Sequence, residues 1–450
     1  MDELIGTAGN DTFEGLVEDL SIFDDLDGGA GDDVLNLYVE DLEGVDSVDS
    51  SGAVDVEGIE TINFIYTGEA VGTGTIDGDT FQGATQIWQI DGVSDVIDLA
   101  ATQTAGFRDE GSDGGAGTVS VTAKKGAATL SVALDGVASG SRANFEGVDV
   151  TTINVSGSVA KEEATDDWAE LNLGGQVDDL LAKSLDKLDT VNLELTSDTA
   201  LNTFTEALYT VVTIDAAAST GGIKFALEDS SIGDTEVLAL EALSTGSGAD
   251  ELTVEMDVLA AEAVTINAGD GNDRINIDVD LSPTGEDETD SDVATALTVD
   301  SGAGSDTVFL AGGNVSLNND DSEVDPDGFD GNTINIVNFN DDLDSGDLLI
   351  IEGFDGFFTQ LLVTTQNAAF NNAKTLFEAV DAVARVVANG EQNEPTYAKF
   401  DFDGNTYVYG NTDNSYAPLS DEDFLVEITG GATLIAGDNV SDEPISVGIL

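Results

Sequence analysis

Apolar and polar residues alternate along most of the chain in short runs, each closed by Gly, Ser or Asp, as in Glu60-Thr61-Ile62-Asn63-Phe64-Ile65 and Ala263-Val264-Thr265-Ile266-Asn267-Ala268. A two-residue period bounded by turn formers predicts strands with one buried face. The tripeptide Thr-(Ile/Val)-(Asn/Asp) recurs eight times, at Thr61, Thr75, Thr152, Thr190, Thr213, Thr265, Thr298 and Thr333. Composition alone yields about one or two copies, so the excess marks repeated rungs. Rung centres lie 23 residues apart from Val191 to Ile214 and again to Val237, then 29 to Ile266, 33 to Val299 and 35 to Ile334. A basic length with variable insertions predicts a solenoid. A coil of roughly 20 to 30 residues cannot bury its own apolar face, so neighbouring coils stack at about 4.8 Å and share one core. The Asn or Asp after each apolar rung predicts a stacked amide ladder, interrupted where Asp215 and Asp300 stand. Short strands with Gly-rich turns also fit a two-sheet antiparallel sandwich, and the pattern alone leaves both open.

The period changes once. From Asn367 to Asn389, Phe370, Ala373, Leu376, Phe377, Val380, Val383, Ala384 and Val387 recur at steps of three and four, with Gly390 following as a C-cap. This predicts an amphipathic helix packed on the last coils, blunting an open sheet edge rather than docking a partner. The expected fold is mainly β: a parallel β-solenoid or β-roll with glycine-rich turns over 1–340, then a small mixed α/β C-terminal domain with one amphipathic helix over 341–450.

Composition narrows the chemistry. The 450 residues carry 12 Lys and Arg against 91 Asp and Glu, a formal net charge of −79, with no His and no Cys. Ser-His-Asp and Cys-His catalysis, haem, iron–sulfur and ordinary zinc sites, and disulfides lose their side chains. So few cations also argue against nucleic acid and anionic membranes as partners. Hydrophobic residues still make up 41% of the chain, enough for a core. The first residues, Met-Asp-Glu-Leu-Ile-Gly, show no cleavable signal pattern, and no apolar run approaches 18 residues, so membrane insertion is not expected. Self-repulsion on this scale calls for counterions, and dense carboxylates suit a divalent, oxygen-loving cation such as calcium.

Five strings approximate Gly-Gly-x-Gly-x-Asp-x-apolar-x. Gly28-Gly29-Ala30-Gly31-Asp32-Asp33-Val34-Leu35 is complete. Gly6-Thr7-Ala8-Gly9-Asn10-Asp11, Thr245-Gly246-Ser247-Gly248-Ala249-Asp250, Ala268-Gly269-Asp270-Gly271-Asn272-Asp273 and Ser301-Gly302-Ala303-Gly304-Ser305-Asp306 each lack one glycine but keep the fourth-position Gly and sixth-position Asp. Glycines permit a tight turn with positive φ, the Asp brings a charged oxygen, and the apolar eighth residue re-enters the core. One turn is half a site, because calcium takes six to eight oxygens. Asp11 and Asp33 are 22 residues apart and Asp250 and Asp273 are 23, one coil each, so stacked turns would face one another. The candidate ligating positions are Gly6, Gly9, Asp11, Gly29, Gly31, Asp33, Gly246, Gly248, Asp250, Gly269, Gly271, Asp273, Gly302, Gly304 and Asp306, for several Ca2+ ions. The partial strings Gly114–Gly117 and Asp327–Gly331 lack the sixth-position Asp and read as turns.

These strings, with Gly58-Ile59-Glu60-Thr61-Ile62-Asn63 and Val211-Val212-Thr213-Ile214-Asp215-Ala216, resemble RTX-type calcium-binding bacterial surface-layer and related surface proteins exported by type I secretion. Segments 338–350, Gly404–Tyr409 and Glu427–Gly430 are similar to the C-terminal region such proteins use for export. The resemblance implies a secreted, cell-surface structural protein, not an enzyme, whose partners are copies of itself in a lattice or filament and, as a further candidate, cell-surface polysaccharide. Family surface-layer members often carry an anchoring domain ahead of the repeats; here a nonapeptide comes at once. An adhesin that binds glycan through Trp88, Trp168 or other aromatics is the second reading, although aromatics in strand patterns favour the core. A β-helix polysaccharide-active enzyme is the third. The acidic runs Glu286–Asp292 and Asp320–Asp327 read as solvated loops, or as loops ordered by calcium at a subunit contact.

Overall fold

The computed structural model describes residues 3–17, 25–39, 55–67, 74–109, 117–163, 166–175, 185–203, 210–228, 239–256, 263–279, 296–310, 334–339, 346–351, 368–387, 396–411, 424–430 and 445–448. The rung at Val237, Thr333, the partial string 327–331, Gly390 and both acidic runs lie outside them. The chain divides into two compact units, Met1–Lys224 and Phe225–Leu450.

In the first unit, successive strands alternate between two sheets. One sheet stacks Thr12–Leu16, Val34–Val39, Thr61–Tyr66, Gln86–Ile90, Thr104–Arg108, Thr129–Ala138, Thr152–Ala160, Thr190–Leu195 and Thr213–Asp215, every neighbour parallel. The other stacks Thr75–Asp77, Asp95–Leu99, Thr118–Ala123, Ser141–Glu146, Ala169–Gly175 and Thr199–Thr203, again in parallel. A short third sheet pairs Glu3–Ile5, Asp25–Asp27 and Asp55–Glu57. Parallel pairing of strands that alternate between sheets is a β-solenoid, and it excludes the antiparallel sandwich.

Alternation explains the core. Leu35, Leu37 and Val39 are buried and pair with Ile62, Phe64 and Tyr66 of the next coil, also buried, while Asn36 and Asn63 point outward. Each such aliphatic or aromatic side chain contributes roughly 1.5–3 kcal/mol by leaving water. The amide ladder exists in short pieces: Asn63 Nδ2 donates to Asn36 Oδ1 at 2.9 Å, and Asn192 Nδ2 to Asn154 Oδ1 at 2.8 Å. Asp215 and Asp300 leave it as expected, because their Oδ1 atoms accept the amides of Ala217 and Gly302 in the following turns. Of the seven tripeptide copies that lie wholly within the described residues, six fall in the sheet series that begins at Thr12 in the first unit and at Ala242 in the second; the Thr75 copy opens a strand of the other sheet.

The second unit repeats the plan. Ala242–Ser244, Ala263–Asn267, Ala296–Asp300, Ile334–Val337 and Phe424–Ile428 stack in parallel, as do Glu251–Met256, Arg274–Val279, Thr307–Leu310 and Leu348–Ile351. Beyond these the direction reverses, with the hairpin Thr396–Phe402 and Asn405–Asn411, and the strand Ile445–Gly448, added antiparallel. The helical segment is broken in two, Ala368–Asn372 and Leu376–Val387. The break is a capping signal, since Thr375 Oγ1 accepts the Glu378 amide at 3.2 Å and Glu378 Oε2 accepts the Lys374 amide at 2.6 Å. The longer helix buries Ala379, Val380, Val383 and Ala384 against Ala398, Phe400, Tyr407, Tyr409 and Leu425, one face of the antiparallel extension. Among the described residues, no helix is long and apolar enough to cross a membrane.

Candidate metal centre

All five nonapeptides form corners that enter a strand, and they stack in two columns. In the first unit Gly6–Asp11 lies against Gly28–Asp33: the Ala30 amide donates to Thr7 O at 3.2 Å, and the Asp32 amide to Asn10 Oδ1 at 3.1 Å. In the second unit the Asp270 amide donates to Gly246 O at 2.8 Å and the Ala303 amide to Gly269 O at 2.9 Å, stacking the turns of Asp250, Asp273 and Asp306.

Gly29, Gly31, Gly269, Gly271, Gly302 and Gly304 leave no room for a side chain. Gly302 has φ +82°, which an L side chain rarely adopts, and a Cβ there would lie 1.6 Å from Gly269 O. At Gly304 the clash is with Gly271 O at 1.4 Å. Gly29, Gly31, Gly269 and Gly271 repeat the pattern against Thr7, Gly9, Gly246 and Gly248.

Stacking lines up the sixth-position side chains. The Asp11 amide donates to Asp33 Oδ1 at 2.6 Å, and the Asp33 amide to Glu60 Oε2 at 2.8 Å. In the second column the Asp250 amide donates to Asp273 Oδ1 at 2.8 Å, the Asp273 amide to Asp306 Oδ1 at 2.9 Å, and the Asp306 amide to Asp347 Oδ1 at 2.9 Å. Each rung therefore holds its carboxylate with one oxygen against the backbone of the coil before. Glu60 and Asp347 belong to no nonapeptide and were not singled out as ligands. Glu60 keeps a fourth-position glycine in Gly58 and an eighth-position Ile62 but has Asp55 and Val56 where the first two glycines would be and Glu in place of Asp; Asp347 keeps Leu349 but has Ser345 where the fourth-position glycine would be. Asp11 is held differently, because its Oδ2 accepts the Thr7 amide at 2.6 Å and the Thr7 hydroxyl at 2.8 Å.

The second oxygens carry the chemistry. Asp33, Asp273 and Asp306 are 0%, 2% and 1% exposed, and their Oδ2 atoms have no hydrogen-bond partner. Apart from the Thr80 hydroxyl, every buried side-chain oxygen in that condition among the described residues belongs to a sixth-position aspartate. A bare, buried carboxylate oxygen is satisfied by a proton or by a cation. Among the described residues no lysine or arginine forms an ion pair with Asp33, Asp273 or Asp306, and Arg274, beside Asp273, lays its guanidinium over the Phe309 ring at 3.8 Å. Burial pushes the Asp273 carboxyl up to about 8, with the charges of Asp250, Asp306 and Asp270 adding to it against the hydrogen bond from the Asp250 amide. Burial likewise raises Asp306 to about 6, with Asp347 adding.

The donors on offer are carboxylate and carbonyl oxygens, hard ligands that fit calcium rather than a thiophilic metal. Among the described residues no three acidic side chains converge as a carboxylate-only centre requires, so the carboxylates are offered one per coil and carbonyls would complete any shell. No protein-family model matches the chain, and no curated protein matches it at a significant level.

Proposed function

We propose that this chain is a secreted, cell-surface structural protein whose stacked corners bind several Ca2+ ions and whose calcium-loaded form assembles with copies of itself into a layer or fibre. The observation that carries the reading is the set of bare, buried oxygens on Asp33, Asp273 and Asp306, placed where successive glycine corners stack. Residues of both columns would hold the ions: Asp33 in the first, Asp273 and Asp306 in the second, with the backbone carbonyls around them. Bound calcium supplies the positive charge that lets these carboxylates stay ionised inside the fold. At low calcium a chain of formal charge −79 repels itself, and in millimolar calcium the corners are neutralised and folding follows binding. The resemblance to RTX-type surface-layer proteins supports a surface location and export by type I secretion.

Assembly follows from charge. Sodium only screens, with a Debye length of about 10 Å at 0.1 M, whereas calcium is shared between carboxylates of two chains. The test is negative-stain microscopy with light scattering of the purified protein in millimolar calcium and in sodium chloride of matched ionic strength. Ordered sheets or filaments in calcium alone are expected; a monomer at high protein concentration in calcium overturns the surface-layer reading. A glycan-binding adhesin is the second reading, favoured by Trp88, a half-buried indole on the outward side of its strand with the Arg108 guanidinium 5.1 Å from the ring. Saturable binding of a soluble glycan by the monomer, lost in Trp88→Ala, would establish it.

A further inference from the structure

The second column runs one rung beyond its nonapeptides, and the extra rung differs from those before it. Asp347 is 1% exposed and lies 41 residues after Asp306, just ahead of the strand Leu348–Ile351. Its Oδ1 accepts the Asp306 amide at 2.9 Å, as Asp306 Oδ1 accepts from Asp273. Its Oδ2 is not bare: the Ser301 hydroxyl, from the first position of the same turn that contains Asp306, donates to it at 3.2 Å. One carboxylate thus grips the Ser301–Asp306 turn at its first and sixth positions. The Leu348 amide returns a bond to Asp306 O at 2.7 Å, so Asp306 is held by the following coil through both its amide and its carbonyl. The Asp306 Oδ2 atom is left bare and buried.

We infer that Asp347 is the positioning residue of the last cation site, fixing the Ser301–Asp306 turn so that Asp306 Oδ2 faces the ion, and that the site is incomplete until the chain beyond residue 340 has joined the stack. The inference rests on the calcium reading above. It adds a residue that no repeat contains, and it makes the final site depend on the region that continues the sheets after Ile334–Val337. Because Asp347 acts through Asp306, its role is to accept hydrogen bonds. Asparagine keeps the Oδ1 acceptor for the Asp306 amide and can donate its Nδ2 to Ser301 Oγ, whereas alanine keeps neither.

The experiment uses the full chain as wild type, Asp347→Ala and Asp347→Asn, with calcium counted by equilibrium dialysis across a titration. Hydrogen exchange of the strands Thr129–Ala138 and Thr152–Ala160 reports in parallel whether the rest of the fold is intact. The wild type is expected to bind several ions. Asp347→Ala is expected to weaken one of them by roughly 10–100-fold, the usual cost of losing a partner that orients a ligand, with the others and the exchange pattern unchanged. Asp347→Asn is expected to restore the full count. Wild-type count and affinity in the alanine variant overturn the inference and leave the calcium reading standing. A defect in asparagine as large as in alanine also overturns it, since the charge and not the acceptor would then matter. A wild type that binds no calcium removes the calcium reading itself, a result distinct from either.

Discussion

Two kinds of corner close the same coil. The corners at Asp33, Asp273 and Asp306 bury carboxylate oxygens with nothing on them. The corners at Gln103 and Ser219 are satisfied by their own chain. Gln103 is buried with its Oε1 accepting the Ala100 amide at 2.9 Å, while Nε2 donates to Gly78 O at 3.0 Å and Phe81 O at 2.8 Å. Ser219 Oγ accepts the Leu195 amide at 2.9 Å and donates to Leu193 O at 3.2 Å. Carboxylates here meet lysine: Lys124 pairs with Asp79, and Lys187 with Asp149 at 2.8 Å, each reaching across coils. Eight of the chain's 12 Lys and Arg lie from Arg108 to Lys224, and none precedes Arg108. A coil can therefore be closed by side chains it carries or by a cation it must acquire. Only the second kind ties folding to the surroundings.

The largest expected effect separates the two directly. In chelator, amides of Glu251–Met256, Arg274–Val279 and Ala296–Asp300 should lose hydrogen-exchange protection, while Thr129–Ala138, Thr152–Ala160 and Thr190–Leu195 retain it. Uniform loss across both sets would break the comparison, and so would no loss at all. Glycine substitution comes next. Gly304→Ala forces a Cβ to 1.4 Å from Gly271 O, so roughly 3 kcal/mol or more of destabilisation is expected from overpacking and backbone strain together. Gly126→Ala, at φ +86° with open space around it in a chain-satisfied corner, should cost about 1–2 kcal/mol, the strain of the left-handed backbone alone. Urea unfolding of the two variants in saturating calcium measures the difference.

Much of this was legible in the sequence because it is periodic. The Thr-(Ile/Val)-(Asn/Asp) strings mark strands, and a fixed Gly-to-Asp offset marks the corners at Asp33, Asp250, Asp273 and Asp306 that the structure stacks. The sequence was silent where geometry substitutes for a motif. Asp347 sits in a column only because the register of Leu348–Ile351 against Thr307–Leu310 puts it there, and its turn lacks the glycine that flagged the others. Gln103 and Ser219 do by hydrogen bonds what the aspartates leave undone, and neither side chain belongs to any repeated string. The helix was readable by its three- and four-residue steps, yet its interruption depended on Thr375 and Glu378 competing locally with the backbone, which periodicity does not weigh.

Acidity gives a smaller effect with a definite sign. Asp273 titrates at about 8 and Asp306 at about 6 in the fold, both above the ordinary carboxyl value of about 3.9 that they regain on unfolding. The folded state then binds more protons than the unfolded state between those values. Without calcium, stability of the second column is present below pH 4 and falls as pH rises toward 8. Urea midpoints in chelator, read by protection of Arg274–Val279, should be higher at pH 5 than at pH 8. Saturating calcium should flatten the trend, since the ion replaces the proton. A midpoint that rises with pH in chelator would mean the columns are not desolvated.

The smallest effect tests the other half of the comparison. Lys124 and Asp79 pair across coils at a chain-satisfied corner, but both side chains are more than a third or about a third exposed, 41% and 33%. Exposed pairs contribute about 0–1 kcal/mol, because water already solvates both charges and the lysine stem must be ordered to form the bond. Lys124→Met keeps the stem and removes the charge, so it should lower stability by no more than that, and the loss should shrink as salt shortens the Debye length from about 10 Å at 0.1 M to about 3 Å at 1 M. The loss should be the same in calcium and in chelator. A Lys124→Met variant whose middle coils gain or lose protection with calcium would show that these corners also depend on the cation, and the two kinds of corner would become one.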